Sequence, residues 1–249
     1  MAAEEEADEL IAAAADLPTL AAMLARRLSG EPLAWITGTI RFCGLTVGVQ
    51  PGVYVPRWQS EALARTAAEL LPPTGTAVDL FTGSGAIAMV LQAARPEARV
   101  IATESDPTAA ACARDNGVDV RIGDLDGGLP TELTGRVDVM TGVAPYVPDG
   151  ALHLLPRDVL SFEPLAALAG GQGGLEIVTR AVTGSIGWLA PGGWLLLEVG
   201  GGQFDEVVRL FATSGYTDVR ILEDGDGDPR AVCGRLGGSV EGAAQASSR

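Results

Sequence analysis

The feature that most narrows the fold is an alternation that begins at Thr76. Strand-length apolar runs at 77–81, 100–103, 118–122 and 137–141 are separated by helical stretches at 86–94 and 108–116. Short apolar runs without a polar face suit strands covered on both sides, and a helix between two of them returns the chain to start the next strand in the same direction. The second half continues the theme with a helix over 175–189, a strand over 194–199, a helix over 203–214, and strands over 217–222 and 231–235. The pattern predicts an α/β fold built on a doubly wound, mostly parallel sheet. In front of it, 4–28 reads as two short helices broken at Pro18, and 31–57, β-branched, aromatic and punctuated by glycine, reads as a hairpin. The chain then divides into a short helical segment (1–30), a β-hairpin linker (31–58), the main domain (59–236) and a small polar tail (237–249) expected to be disordered.

The sharpest local signal is Val78-Asp79-Leu80-Phe81-Thr82-Gly83-Ser84-Gly85-Ala86-Ile87, a strand entering a glycine turn and then a helix. Gly83 and Gly85 allow a tight bend and let a ligand approach main-chain N–H groups at the helix start. Glu104 follows about 20 residues on, at the end of the next strand, where a carboxylate accepts hydrogen bonds from a ribose diol. Asp124, just after the third strand, is placed to accept from an adenine amino group or to cap a solvated turn. Asp79, Phe81, Thr82, Ser105 and Leu125 flank these three and complete the candidate cofactor site. The turn lacks the third glycine of a dinucleotide fingerprint and has no phosphate-binding lysine, which favours a nucleoside without phosphates. S-adenosylmethionine fits that description.

Composition removes other chemistries. All 17 basic residues are arginine, so mechanisms that need a lysine amine are excluded. One histidine and three scattered cysteines, Cys43, Cys112 and Cys233, offer neither a zinc cluster nor a disulfide framework, so no metal site is expected. A formal net charge of −15 argues against a nucleic-acid partner. The acidic start and the lack of an apolar run near 18 residues predict no membrane span and a reducing, cytoplasmic setting.

At the fourth strand end the chain reads Val143-Ala144-Pro145-Tyr146, and here it resembles the HemK-type family of protein-glutamine methyltransferases that modify peptide-chain release factors. The likeness runs from Glu31 to Arg235. It includes Glu31-Pro32-Leu33-Ala34-Trp35-Ile36-Thr37-Gly38, Val55-Pro56-Arg57, the glycine turn, Glu104 with Asp106-Pro107, Phe162-Glu163-Pro164, Gly173-Gly174-Leu175, Pro191-Gly192-Gly193, Glu198 and Gln203. The resemblance implies a seven-stranded methyltransferase sheet, S-adenosylmethionine as donor, and a catalytic segment at Val143, Ala144, Pro145 and Tyr146.

The departures bear on the acceptor. The family's motif there is Asn-Pro-Pro-Tyr, in which the Asn oxygen and the next carbonyl accept from the target NH₂ while the Tyr ring packs on its plane. Val143 cannot accept a hydrogen bond; the Ala144 carbonyl and the Tyr146 ring remain. After Pro56-Arg57 the chain has Trp58-Gln59-Ser60-Glu61 where the family carries a further proline, and the helical segment in front is shorter than the family's. Four more residues are candidates on the substrate side. Arg57 and Glu163 either anchor substrate charges or pair with each other, Trp58 lines a pocket or packs, and His153 is either a general base or an ordinary loop histidine. Three functions stay open: methylation of a protein glutamine, methylation of a small-molecule N or O nucleophile, and S-adenosylmethionine binding without catalysis.

Overall fold

The computed structural model describes residues 3–155 and 157–238, so most of the polar tail, from 239 on, lies outside the described residues. Helix α1 (Ala3–Ala13) and helix α2 (Leu17–Leu28) are separate because Pro18, lacking an N–H, is tolerated only in a first helical turn. Asp16 caps α2 by accepting from Thr19 N at 2.8 Å. Helix α3 (Leu33–Thr37) ends at Gly38, which takes the left-handed conformation. Leu10, Met23, Leu33 and Ile36 bury one another between these helices. Ion pairs Arg27–Glu6 (2.8 Å) and Arg26–Glu31 (2.6 Å) tie the helices at the rim.

Strands β1 (Thr39–Phe42) and β2 (Leu45–Gly48) form the expected hairpin. Its two-residue turn, Cys43-Gly44, has both φ angles positive, the turn geometry whose twist matches antiparallel strands. Helix α4 (Glu61–Leu70) then leads into the main sheet.

That sheet has seven strands: β3 (Thr76–Leu80), β4 (Arg99–Glu104), β5 (Val120–Ile122), β6 (Val137–Val143), β7 (Leu189–Glu198), β8 (Tyr216–Glu223) and β9 (Pro229–Leu236), in the order β5-β4-β3-β6-β7-β9-β8. The pairs from β5 to β7 are parallel, and β9 runs antiparallel to both β7 and β8. Only five residues separate β8 from β9, too few for a crossover, so the chain must return as a hairpin. Helices α5 (Ala86–Ala94) and α6 (Pro107–Asp115) join α4 over one face. Helices α8 (Glu176–Ser185) and α9 (Phe204–Thr213) cover the other, and α7 (Arg157–Phe162) lies in the long β6–β7 connection.

One expected helix is cut short. The 175–189 stretch stops being helical at Ser185, because the Trp188 carbonyl accepts from Arg136 N and Val137 N and Leu189 pairs with Val137 as the first residue of β7. The sheet takes the last apolar residues of the stretch. Among the described residues no helix is long and apolar enough to cross a membrane.

The chain winds β3→β4→β5 in one direction and then crosses to β6 on the other side of β3. The reversal opens a crevice above the carboxyl ends of these strands, where doubly wound sheets bind ligands.

Candidate functional site

The glycine turn is held from below. Asp79, 1% exposed, accepts from the Thr82 hydroxyl at 2.6 Å and from the Thr141 hydroxyl at 2.7 Å, which latches the turn to β6. Burial pushes its carboxyl up from 3.8 to about 6, against the pull of the two hydroxyls. Asn116 bolts the hairpin to the same turn, donating to Gly48 O and Ser84 O (both 2.8 Å) and accepting from Gly48 N (2.9 Å). Gly85 must be glycine for two reasons: its φ is +86°, and a Cβ would stand 2.8 Å from Val118 Cγ2. At Gly83, φ +56°, the space is open. Phe81 adopts the same left-handed region without being glycine.

Glu104 ends β4. Its carboxylate accepts from Gly83 N at 2.9 Å on one oxygen, and from Ser105 N (2.7 Å) and Asp106 N (2.9 Å) on the other. These bonds fix the carboxylate between the β3 turn and the start of α6, which Asp106 caps. Asp124, beyond β5, is exposed and forms an ion pair with Arg180 at 2.6 Å.

Gly83, Glu104 and Asp124 border one cavity of about 570 Å³, together with Asp79, Phe81, Thr82, Ser105, Arg57 and the Val143–Tyr146 segment. The cations that line it, Arg57 and Arg230, are both engaged by carboxylates: Arg57 by Glu163, and Arg230 by Asp224 and Asp228. Among the described residues a phosphate would therefore find no uncommitted cation in this lining, whereas an open glycine turn beside a fixed carboxylate suits a neutral ribose diol. The donor set fits the nucleoside of S-adenosylmethionine.

Five sequence candidates do not line the cavity. Gly85 caps α5, and Leu125 is buried in the core beneath β5. Trp58 is 54% exposed, with the Arg230 guanidinium 5.7 Å from its ring. His153 is exposed on the 3₁₀ turn Asp149–Leu154. Glu163 is buried behind Arg57 as its ion-pair partner.

The segment after β6 is laced down through its main chain. Val147 N donates to Leu168 O (2.9 Å), Gly170 N to Val147 O (2.8 Å) and Gln203 Nε2 to Tyr146 O (2.9 Å). A Cβ on Gly170 would stand 2.7 Å from Pro145 O, so the two segments touch backbone to backbone. Sequence reasoning left four residues out of the site that the folded chain places on this side of the cavity: Tyr54, Ser60, Glu198 and Arg230. Burial raises the Tyr54 and Tyr146 phenols and the Glu198 carboxyl above their ordinary values, while the Ser60 hydroxyl and Arg230 pull Glu198 back. Glu198 carried a readable signal, an acid closing an otherwise apolar strand at its carboxyl end.

No family model matches the chain. Among curated proteins it is similar to the release factor glutamine methyltransferase of Geobacter sulfurreducens, 36% identical over 225 residues covering 89% of this chain and 79% of the relative. The enzymes of the same name from Salmonella typhimurium (37%, covering 87% and 80%) and Mycolicibacterium smegmatis (38%, covering 84% and 76%) are equally near. Among solved structures, a methyltransferase from Pyrococcus furiosus shares the fold, with a TM-score of 0.57 at 20% identity over 87% of this chain and 99% of that one.

Proposed function

Because the chain belongs to the release factor glutamine methyltransferase family, we propose that it methylates the side-chain amide nitrogen of a glutamine in a release-factor protein. It is an S-adenosylmethionine-dependent methyltransferase of that family, whose named relatives act on a protein. One observation carries the reading: the glycine turn, Glu104 and Asp124 meet the Val143–Tyr146 segment around a single cavity, so donor and acceptor can lie side by side.

When bound, the donor supplies an electrophilic methyl on a sulfonium sulfur. The chain's own groups divide the remaining work. Glu104, its carboxylate already oriented by three backbone N–H groups, keeps lone pairs for the ribose hydroxyls. Asp124 accepts from the adenine amino group, for which its exposed carboxylate must turn from Arg180. Phe81, Thr82 and Ser105 line the cavity and would hold the nucleoside. On the other side the Ala144 carbonyl takes one N–H of the acceptor and the Tyr146 ring packs on its plane. An amide nitrogen is a weak nucleophile because its lone pair is delocalised, so geometry rather than basicity must bring it to the methyl. Arg57, fixed by Glu163, and the exposed Trp58 and His153 are proposed contacts for the protein around the target glutamine. A reducing, cytoplasmic setting belongs to the same reading, supported by cysteines that stand free.

Val143 favours a second reading, in which a related small nucleophile has replaced the amide. Incubating the chain with labelled donor and either a release factor or a small-metabolite fraction separates the two. Label recovered on a release-factor glutamine supports the proposal; label recovered only in small molecules, or no transfer with donor bound, overturns it.

A further inference from the structure

Across the β6–β7 ladder Val143 stands directly opposite Glu198. Paired residues on neighbouring parallel strands send their side chains to the same face, ~5 Å apart. The position that lacks a hydrogen-bonding group is therefore flanked by one that has it, and both line the cavity. Glu198 is 4% exposed, with Leu196 below it in the core of that face. Its Oε2 is buried and has no hydrogen-bond partner among the described residues. A carboxylate oxygen removed from water without a donor is strongly unfavourable, and native chains keep one where another molecule brings the donor.

The groups around it come from every neighbouring element. The Ser60 hydroxyl stands at the start of α4, Arg230 on β9, Tyr146 after β6, and Tyr54 with Arg57 on the segment after the hairpin. Arg230 is held by Asp224 and Asp228, and Arg57 by Glu163, so neither closes an ion pair on Glu198.

We propose that Glu198 is the hydrogen-bond acceptor for the target amide, supplying from β7 the contact that Val143 cannot make on β6. The proposal rests on the glutamine reading above. A primary amide presents two N–H groups; one goes to Glu198 Oε2 and the other to the Ala144 carbonyl, which leaves the nitrogen lone pair facing the methyl. As the N–C bond forms, the S–C bond breaks with its electron pair on sulfur. The proton the nitrogen sheds passes along the N–H···Oε2 bond to the carboxylate and from there to water.

The test uses the full chain, a release factor as acceptor, and S-adenosylhomocysteine calorimetry as a readout of the donor site. Glu198→Met removes the acceptor oxygen at similar volume and is expected to lower kcat by about 10²- to 10³-fold with unchanged S-adenosylhomocysteine affinity. Glu198→Gln, which keeps one carbonyl oxygen, should retain more activity and lose the fall in turnover that the wild type shows on acidification. Adding Val143→Asn to Glu198→Met should restore part of the rate. Full turnover in Glu198→Met, donor affinity falling in step with turnover, or an acid limb that survives in Glu198→Gln each overturns the proposal while the glutamine reading stands. A wild-type chain that leaves release factor unmethylated removes both.

Discussion

Asp79 lends itself to a measurement that needs no substrate. Its carboxyl ionises at about 6 in the folded chain against an ordinary 3.8, with burial as the leading cause. Between these values the folded chain holds a proton that the unfolded chain has released, so unfolding is favoured increasingly as pH rises through the window. The full separation corresponds to ~3 kcal/mol, absent well below pH 4 and complete by pH 7.5. Asparagine cannot ionise, yet its oxygen can accept from one threonine hydroxyl while its NH₂ donates to the other, so Asp79→Asn removes the titration and keeps the latch. The sequence pI near 4.4 makes association a hazard at low pH, so the comparison belongs between pH 5 and 7.5. Over that interval the stability of Asp79→Asn relative to wild type should rise by about 1.4 kcal/mol, the share of the separation that titrates above pH 5. Urea unfolding of the donor-free chain at the two pH values, followed by far-ultraviolet circular dichroism, measures it. A variant-minus-wild-type difference that stays flat, or that grows toward acid, would refute the account of Asp79 as a buried, latching acid.

Three other outcomes follow from the same geometry. Glu104→Ala should weaken donor binding by about 1.5–3 kcal/mol, the worth of a hydrogen bond to a charged group; calorimetry with S-adenosylhomocysteine giving wild-type affinity would remove Glu104 from the site. Gly85→Ala combines a left-handed φ with a Cβ 2.8 Å from Val118, whereas Gly83→Ala meets only the φ cost of about 1–2 kcal/mol, so thermal melts should rank Gly85→Ala as clearly the less stable. Arg57→Ala removes one partner of the buried Glu163 and should lower stability by about 1–3 kcal/mol, part of it recovered in the double variant with Glu163→Gln; equal melting of single and double variants would show that the pair is not coupled.

Much of the architecture was legible because local patterns and tertiary demands agree. The apolar runs around Val78, Ile101 and Val139 are buried on both faces, and the glycine turn sits where strand and helix periods meet. Helix α3 escaped the reading, since five residues from Leu33 to Thr37 are too short to display a helical period. The end of α8 was overestimated because apolar residues serve helix and strand alike, and only pairing with Val137 decides between them. The site divides in the same way. Gly83, Glu104 and Asp124 were readable from strand order, as each stands at or just beyond the carboxyl end of its strand. The place of Glu198 beside Val143 depends on a register between segments more than 50 residues apart, and the outward placing of Trp58 and His153 depends on short 3₁₀ turns that no periodicity records.

The lacing of the Tyr146 segment sets what this chain can become. Its shape is held by main-chain bonds to Leu168, Gly170 and Gln203 rather than by the side chains of positions 143 and 144. Val143, only half-buried, can change without losing the curve of the loop, whereas Ala144, 1% exposed, must stay small; drift at 143 leaves a ready-made cradle whose chemistry is open to reassignment. Selection for a new acceptor would begin from a scaffold already shaped for methyl transfer, and a library randomised at 143, with only small residues at the buried position 144, would sample specificity at little cost to folding.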